Sequence, residues 1–356
     1  MSAASIPNLL SLRGNSRGGR GRGRGRVGQH PGRPSGHDAV IQGTDDDAAL
    51  SRLSAVELGY LEDPFVHSFV RRGSGTAPRR LPIINRGTYT RTAALDRLID
   101  LFLSKDEVGP SQERQIISLG AGTDTRCLRI FSQENPPIIT YHEVDFPAIC
   151  KQKFNTISAS PKLGQILPKP VEQNGSTWCS QSPTGSQLWC HGVDLRELAQ
   201  TEDTSILKGL KTDVPTLLVS ECCLCYLQTS EARDVIKWFT DRIPDLGIVI
   251  YEPIKPDDPF GRMMVSNLSA RGIRMPTLEE YREPRDQENR LRGAGFDHVR
   301  QMAVDEIWEK WISESEKERV DNLEGLDEVE EWKLLAGHYI VAWGWKGSGF
   351  GSWLQW

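Results

Sequence analysis

The sequence predicts an α/β fold built on a mostly parallel sheet. The clearest sign is QIISLGAGTDTRCLR (residues 115–129), in which an apolar run ends in a short glycine turn and then leads into a helical pattern. Strand, glycine turn and helix follow in this order at the first crossover of a parallel sheet. Later apolar runs end in acidic residues and are separated by helical patterns. This alternation favours parallel strands joined by helices.

The chain length allows one large domain or two small ones, because 356 residues can bury a substantial core. The net charge of −5 combines a basic N-terminus with an acidic remainder. No apolar run reaches the ~20 residues that span a bilayer, and the N-terminus lacks the apolar centre of a signal peptide. Seven cysteines with irregular spacing suit a reducing compartment. We therefore expect a cytoplasmic monomer without membrane attachment.

Three of the cysteines crowd one apolar stretch, at Cys222, Cys223 and Cys225. The first and last form a CxxC pair, which is half of a common zinc-binding pattern. No second pair and no histidine partner follows nearby in the sequence. We therefore expect small buried side chains rather than a metal site.

Residues 1–44 are predicted to form a disordered tail. They are poor in apolar residues, and residues 17–26 alternate arginine and glycine. Glycine entropy and charge repulsion oppose a packed core in such a segment. The tract could bind RNA through phosphate attraction and arginine stacking, or it could be a passive solvated tail. Any contact with nucleic acid is expected only through this tail.

The remaining elements follow in order. Residues 45–70 show a helical pattern that breaks at Asp63-Pro64. Asp45, Asp46 and Asp47 are acids of its first turn. Residues 71–82 are predicted to form a mobile loop. The segment NRGTYTR (residues 85–91) leads into the helix before the glycine turn; it suits either an anionic substrate or a solvated helix start. Residues 155–187 are rich in Ser, Pro, Gln and Gly and predict a loop excursion. Strands are predicted at residues 138–145, 216–221, 248–252 and 338–343.

Acidic residues end successive strands after the glycine turn. Asp145 ends the next strand, where an acid commonly holds ribose hydroxyls. Asp194 and Glu221 follow two further apolar runs. Three such acids fit a nucleoside that carries hydroxyls, an exocyclic amine and a positive charge, as S-adenosylmethionine does. A dinucleotide asks instead for GxGxxG, and Thr125 stands at the third glycine position. The pattern favours the methyl donor over a nicotinamide cofactor.

Beyond these patterns, a series of motifs resembles the leucine carboxyl methyltransferase family. The resemblance implies a Rossmann-like class I methyltransferase domain at 45–356, with a seven-stranded sheet and a helical cap from residues 45–95 and 253–330. It also implies methylation of the C-terminal leucine α-carboxylate of a type 2A serine/threonine phosphatase catalytic subunit, with S-adenosylmethionine as cofactor. The motifs are NRGTYTR, LGAGTDTRCLR, EVDFP, GVDLR, LLVSECCLCYL, YEPIKPDDPFGRMM and HYIVAWG.

Site residues follow from the resemblance position by position. Arg91 matches an arginine that reaches the methionine carboxylate and the substrate, and Tyr226 matches an active-site tyrosine; both are expected to be catalytic. Arg52 stands where the family usually has lysine, and its donor geometry differs. No motif matches the tail or the loop at 155–190. The expected cofactor-binding residues are Arg52, Arg91, Gly120, Asp145, Asp194, Leu195 and Glu221.

The implied chemistry needs no general base, since a terminal carboxyl with a pKa of ~3.5 is already ionised at pH 7. Catalysis then requires the oxygen to lie ~3–3.5 Å from the methyl carbon, with water excluded. Arg91 is expected to orient the carboxylate while leaving one oxygen free to attack.

Other functions are open to the sequence. One relative joins this catalytic half to a kelch propeller and modifies a transfer RNA base, but no ~50-residue repeat occurs here. A small-molecule carboxyl or hydroxyl methyltransferase is another alternative. A non-catalytic protein that tethers RNA or the phosphatase is a third, although such a protein need not keep acids at its strand ends.

Overall fold

A computed structural model describes residues 36–70, 79–104, 113–327 and 329–355. Most of the predicted tail and residues 71–78 of the predicted loop lie outside the described residues. The tail boundary at Thr44 is wrong, because a helix occupies Gly36–Gln42 and a second helix begins at Thr44. The apolar side chains of Val40 and Ile41 pack against the core, which explains why order begins earlier than composition suggests.

Nine strands form one sheet in the described part of the chain, in the order β3-β4-β5-β2-β1-β6-β7-β9-β8. The five strands from β5 to β7 run parallel, and the others pair antiparallel with their neighbours. The strands are β1 (Arg114–Leu119), β2 (Ile139–Asp145), β3 (Val171–Asn174), β4 (Thr177–Gln181), β5 (Gln187–Gly192), β6 (Thr216–Glu221), β7 (Leu246–Pro253), β8 (His298–Ala303) and β9 (Tyr339–Lys346).

Helices cover both faces of this sheet. They are α1 (Gly36–Gln42), α2 (Thr44–Glu57), α3 (Val66–Phe69), α4 (Pro82–Leu103), α5 (Arg126–Phe131), α6 (Pro147–Ala159), α7 (Pro161–Gly164), α8 (Leu195–Leu198), α9 (Thr229–Thr240), α10 (Pro259–Ala270), α11 (Pro284–Gly293), α12 (Val304–Trp311), α13 (Glu314–Leu323) and α14 (Val329–Ala336). Short 3-10 turns lie at Thr204–Ile206, Leu224–Tyr226, Pro276–Glu279 and Gly351–Gln355.

Two apolar cores follow from the alternation of side chains along the strands. On β1, Ile116 packs with α4 residues such as Leu98, while Ile117 packs on the opposite face with α9 residues such as Val235. Strands buried on both faces read as continuous apolar runs, which is why these strands were predictable. The predicted Rossmann-like α/β fold is confirmed.

The predicted strand number is wrong, because the sheet has nine strands rather than seven. The two additional strands, β3 and β4, come from the stretch that was predicted to be a loop. Trp178 anchors β4, since its buried indole donates a hydrogen bond of 3.0 Å to the Cys150 carbonyl oxygen. All four side chains of β3 are exposed. An edge strand can be polar on both faces, so the composition of this stretch did not predict strands.

The segment NRGTYTR lies inside α4 and is buried, so the solvated helix start is wrong. Asn85 donates a hydrogen bond of 2.8 Å to Glu324. Arg86 lies 4.6 Å from the Trp308 ring centroid on α12. Tyr89 donates a hydrogen bond of 2.9 Å to Glu316 on α13. These side chains fasten α4 to the helices at residues 304–336, and the predicted boundaries of the cap stay a prediction.

The search for membrane-spanning helices covered the described residues. None of these helices combines the length and the apolar character that crossing a bilayer requires. The cytoplasmic location stays a prediction.

Candidate functional site

A deep cleft opens at the carboxyl ends of β5, β2, β1 and β6. Helices α1, α2 and α4 supply its other walls, and its empty volume is about 1210 Å³ with the open mouth included. In parallel sheets such crevices hold ligands. All eight predicted site residues line this one cleft: Arg52, Arg91, Gly120, Asp145, Asp194, Leu195, Glu221 and Tyr226.

The glycine turn after β1 forms the floor of the cleft. Gly120 and Gly122 have φ angles of +64° and +49°, which L side chains rarely adopt. A Cβ atom at Gly120 would collide with the Cys223 side chain, and one at Gly122 would collide with the Asp45 carboxylate. The turn is therefore closed in between the segment after β6 and helix α2, and only backbone fits there.

Backbone amides hold the two carboxylates nearest this turn. Asp145 accepts hydrogen bonds of 2.7 Å from the Gly122 and Phe146 amides. Burial raises the pKa of Asp145 to about 6, although these hydrogen bonds oppose the shift. Asp45 accepts hydrogen bonds of 2.7 Å from both the amide and the hydroxyl of Thr123, and burial raises its pKa as well. Backbone amides and the Thr123 hydroxyl, rather than direct ion pairs, hold these two carboxylates.

Asp194 is paired differently, because a cation holds both of its oxygens. The Arg196 side chain donates to Asp194 at 3.0 and 2.6 Å, and the same guanidinium reaches Asp38 on α1 at 3.2 Å. Both acids and Arg196 line the cleft. Leu195 lies between Asp194 and Arg196 in sequence and is buried, so it gives this wall an apolar surface.

At the other end of the cleft, Glu221 lies between two arginines. Its Oε1 is 2.8 Å from Arg91 Nε, and its Oε2 is 2.8 Å from Arg126 Nη2. Burial opposes ionisation of Glu221, but Arg126 and Arg91 outweigh it and lower its pKa. Arg126 also pairs with Asp124 at 2.7 Å and with Asp96 at 2.9 Å. The carboxylate is held ionised within a continuous chain of charges.

Arg91 faces Glu221 with one edge of its guanidinium. Its Nε faces Glu221, while its terminal nitrogens make no hydrogen bond to a described residue. The Tyr251 ring lies beneath the guanidinium, 5.4 Å from ring centroid to Arg91 Cζ. Tyr226 lines the same cleft, and its buried hydroxyl lies close to the Thr44 side chain without a hydrogen bond of normal geometry to a described residue. A forked cation and a hydroxyl donor in one cleft suit a carboxylate.

Arg52 binds the glycine turn rather than open space. Its Nη1 donates to the Thr123 carbonyl oxygen at 3.2 Å, and its Nη2 lies 3.7 Å from Asp124 Oδ1. A lysine has a single terminal nitrogen and could not make both contacts in this way. The arginine is therefore accommodated by the local backbone.

Several side chains of the cleft were not predicted from the sequence. Asp45 was interpreted only as a first-turn acid of its helix, yet its carboxylate binds Thr123. Arg126 was not predicted as a site residue, although it pairs with three carboxylates. Its place directly after the glycine turn was the one available signal. Asp38 could not be found, because it lay in the predicted disordered tail.

The residues present fit S-adenosylmethionine. Carboxylates that could hold hydroxyls or an amine lie at the ends of three strands, β2, β5 and β6; apolar side chains also line the cleft, and cations lie at its far end. The buried Tyr226 hydroxyl makes no hydrogen bond of normal geometry to a described residue, and a ligand could supply one. Among the described residues, no group of three or more His, Cys, Asp or Glu side chains could hold a metal ion.

Comparison with known proteins identifies close relatives. A family model described as leucine carboxyl methyltransferase matches residues 40–240. Leucine carboxyl methyltransferase 1 from Aspergillus fumigatus is 49% identical, over 99% of this chain and 96% of its own. The protein of the same name from Emericella nidulans is 47% identical, over 97% and 95%. The tRNA wybutosine-synthesizing protein 4 of Homo sapiens is 33% identical over 85% of this chain, which spans 43% of that protein.

Proposed function

Because this chain belongs to the leucine carboxyl methyltransferase family, we propose that it methylates the α-carboxylate of a C-terminal leucine. The protein is an S-adenosylmethionine-dependent methyltransferase, as the sequence predicted. The acceptor is the tail of a type 2A serine/threonine phosphatase catalytic subunit, and the product is a methyl ester. Support for a leucine acceptor comes from the names of the relatives, and support for a carboxylate comes from the cleft.

One observation carries the proposal. The terminal nitrogens of Arg91 make no hydrogen bond to a described residue, and the buried Tyr226 hydroxyl, whose polar neighbour is the Thr44 side chain, lines the same cleft. Glu221 occupies the Nε edge of the guanidinium and so leaves its terminal nitrogens for an anion. An acceptor carboxylate would satisfy both the cation and the hydroxyl.

We assign the acid-rich half of the cleft to the methyl donor. Asp145 holds the ribose hydroxyls, Asp194 and Leu195 contact the remainder of the nucleoside, and Gly120 gives close backbone approach. Glu221 and Arg52 serve the methionine end together with Arg91. When bound, S-adenosylmethionine supplies a methyl group that is already activated by its sulfonium.

The chain's own residues then have little proton chemistry to perform. A terminal carboxyl with a pKa of ~3.5 is ionised at pH 7 and needs no general base. Arg91 and Tyr226 orient the carboxylate, and the buried walls exclude water. Arg91 must leave one oxygen uncovered, because an oxygen held by two donors is a weaker nucleophile.

The test incubates the purified protein with radiolabelled S-adenosylmethionine and a phosphatase catalytic subunit, either intact or lacking its terminal leucine. We expect label on the intact subunit only, and release of that label by mild base, as a methyl ester requires. Equal labelling of both subunits would contradict the proposal.

A parallel reaction supplies transfer RNA as the acceptor, since one relative is named for a transfer RNA modification. Label on transfer RNA and none on the phosphatase would replace the proposed acceptor while keeping the methyltransferase activity. Arg91→Lys is the matched variant of the enzyme in these reactions, because lysine keeps the positive charge of residue 91 but lacks the forked donor of the guanidinium.

A further inference from the structure

Helix α1 and the following glycine, residues 36–43, form a strap along one wall of the cleft. His37, Asp38, Ile41 and Gln42 of this strap all line the cleft. Asp194 and Arg196, which follow β5, line the same cleft. Whatever occupies the nucleoside half of the cleft therefore lies between the strap and the end of β5.

The two ends of the N-terminal region are held very differently. Helix α2 is fixed to the body of the protein by several polar contacts. Asp45 binds Thr123 twice, Arg52 binds the Thr123 carbonyl oxygen, and Asp47 pairs with Arg80 at 3.8 Å and with Arg271. These contacts would keep α2 in place if α1 moved.

The strap, by contrast, contacts the end of β5 through the ion pair between Asp38 and Arg196. Asp38 Oδ1 lies 3.2 Å from Arg196 Nη2, and the same guanidinium holds both oxygens of Asp194. Further support comes from the Thr44 hydroxyl, which donates a hydrogen bond of 2.7 Å to the Ile41 carbonyl oxygen, and from Val40, which lies against Gly272 and packs on the core with Ile41. Gly43 joins the strap to the fixed helix α2.

We propose that Arg196 is a positioning residue that latches the strap over the methyl donor, and that Asp38 is the strap's half of the latch. This inference rests on the proposed assignment of Asp194 to the donor. The strap opens at Gly43 to admit the donor and closes when Asp38 returns to Arg196. Arg196 thereby couples the orientation of Asp194 to closure of the cleft.

A latch of this kind has a distinctive kinetic signature. The Asp38–Arg196 pair is present before any ligand binds, so breaking it eases both entry and exit. The association and dissociation rates should therefore rise together, while their ratio stays the same. A partly exposed ion pair limits the size of the effect to about two- to fivefold.

The experiment measures both rates for S-adenosylhomocysteine on the immobilised full-length protein, with Asp38→Asn as the test variant. Asp46→Asn is the matched control, since it makes the same charge change on a neighbouring exposed residue. We expect Asp38→Asn to raise both rates about two- to fivefold with Kd unchanged. Hydrogen exchange of residues 36–43 in the free protein should quicken in the same variant and not in the control.

Each other result has a definite meaning. Unchanged rates in Asp38→Asn would overturn the latch. A rise in the dissociation rate alone, with Kd rising equally, would mean that Asp38 contacts the donor directly and would also overturn it. Asp194→Asn tests the assignment of Asp194 to the methyl donor. If this variant weakens donor binding while Asp38→Asn has no effect, only the latch fails. If neither variant has an effect, the latch and the assignment both fail.

Discussion

Two glutamates at the ends of neighbouring strands make a useful comparison. Glu221 ends β6 and faces α4, while Glu252, near the end of β7, faces α11. Each has an arginine partner at 2.8 Å: Arg91 for the first and Arg290 for the second. The Glu221 side chain is 17% exposed and lines the cleft, whereas that of Glu252 is 1% exposed.

The difference shows that an ion pair does not identify a functional site by itself. The Glu252–Arg290 pair is sealed under the Tyr281 ring, with Gln287 as its polar neighbour. Glu221 instead shares two arginines and leaves the terminal nitrogens of one of them for a ligand. We call these the sealed pair and the open cluster. Removing a group should cost stability in the sealed pair and function in the open cluster.

The largest effect is expected from breaking the sealed pair. Arg290→Met should lower the free energy of unfolding by about 3–5 kcal/mol, because it leaves the Glu252 charge buried and unpaired. Urea unfolding followed by circular dichroism measures this loss. The double variant Arg290→Met, Glu252→Leu should regain most of it. A single variant as stable as the parent would show that the pair contributes nothing to stability.

In the open cluster, Arg91→Ala should lower kcat/KM for the phosphatase acceptor about 100-fold through lost positioning. The fold should persist, because Glu221 keeps Arg126 as its partner. Arg97→Ala is the control on the same helix, since Arg97 lies over the Trp311 ring and does not line the cleft. Near-normal turnover in folded Arg91→Ala protein would remove Arg91 from the mechanism.

Asp145→Ala should weaken the binding free energy of S-adenosylmethionine by ~1.5–3 kcal/mol, the range for a hydrogen bond to a charged group, and so raise its Kd. Isothermal calorimetry measures the constant directly. Glu252→Gln is the comparison from the sealed pair and should leave Kd unchanged in the folded protein. The same Kd in Asp145→Ala and the parent would place the donor elsewhere.

The pH dependence of donor binding should reveal the buried Asp145 carboxyl. Its pKa in the free protein is raised to about 6, so it becomes protonated as the pH falls through 6. Binding through the carboxylate requires loss of that proton, so Kd should rise about tenfold between pH 7 and pH 5. Asp145→Asn cannot titrate and should flatten the profile. An equally steep profile in that variant would assign the titration to another group.

The smallest expected effect is on thermal stability, and it compares two buried tyrosine hydroxyls. Tyr251, beneath Arg91, has a hydroxyl without a hydrogen-bond partner among the described residues. Tyr89 donates to Glu316 at 2.9 Å. Tyr251→Phe should leave thermal stability unchanged or raise it slightly, while Tyr89→Phe should lose about 1 kcal/mol. A larger loss in Tyr251→Phe would mean that its hydroxyl is satisfied in solution.

The positions of the site residues were predictable because parallel strands bring their carboxyl ends to one edge. Each of Gly120, Asp145 and Glu221 stands at or directly after the end of an apolar run, so sequence order alone placed them together. Arg91, Arg52 and Tyr226 came from the family resemblance, and they line the same cleft. The roles of all these residues stay predictions.

What the sequence could not predict depends on distant partners. Arg86 is buried because Trp308 and Trp332, more than 200 positions later, supply aromatic faces for its guanidinium. The strand β3 is exposed on both faces, since it forms one edge of the sheet. No local period or composition reports such partners, so the burial of α4 and the edge hairpin were both missed.

The contact between Gly122 and Asp45 has a consequence for how this family can diverge. Because the Asp45 carboxylate fills the space where a side chain at residue 122 would lie, the two positions are not free to drift separately. A larger residue at 122 becomes tolerable only after Asp45 is shortened, and that change forfeits the Thr123 hydrogen bonds. Chimeras that exchange α2 between relatives should therefore carry the matching glycine turn with it.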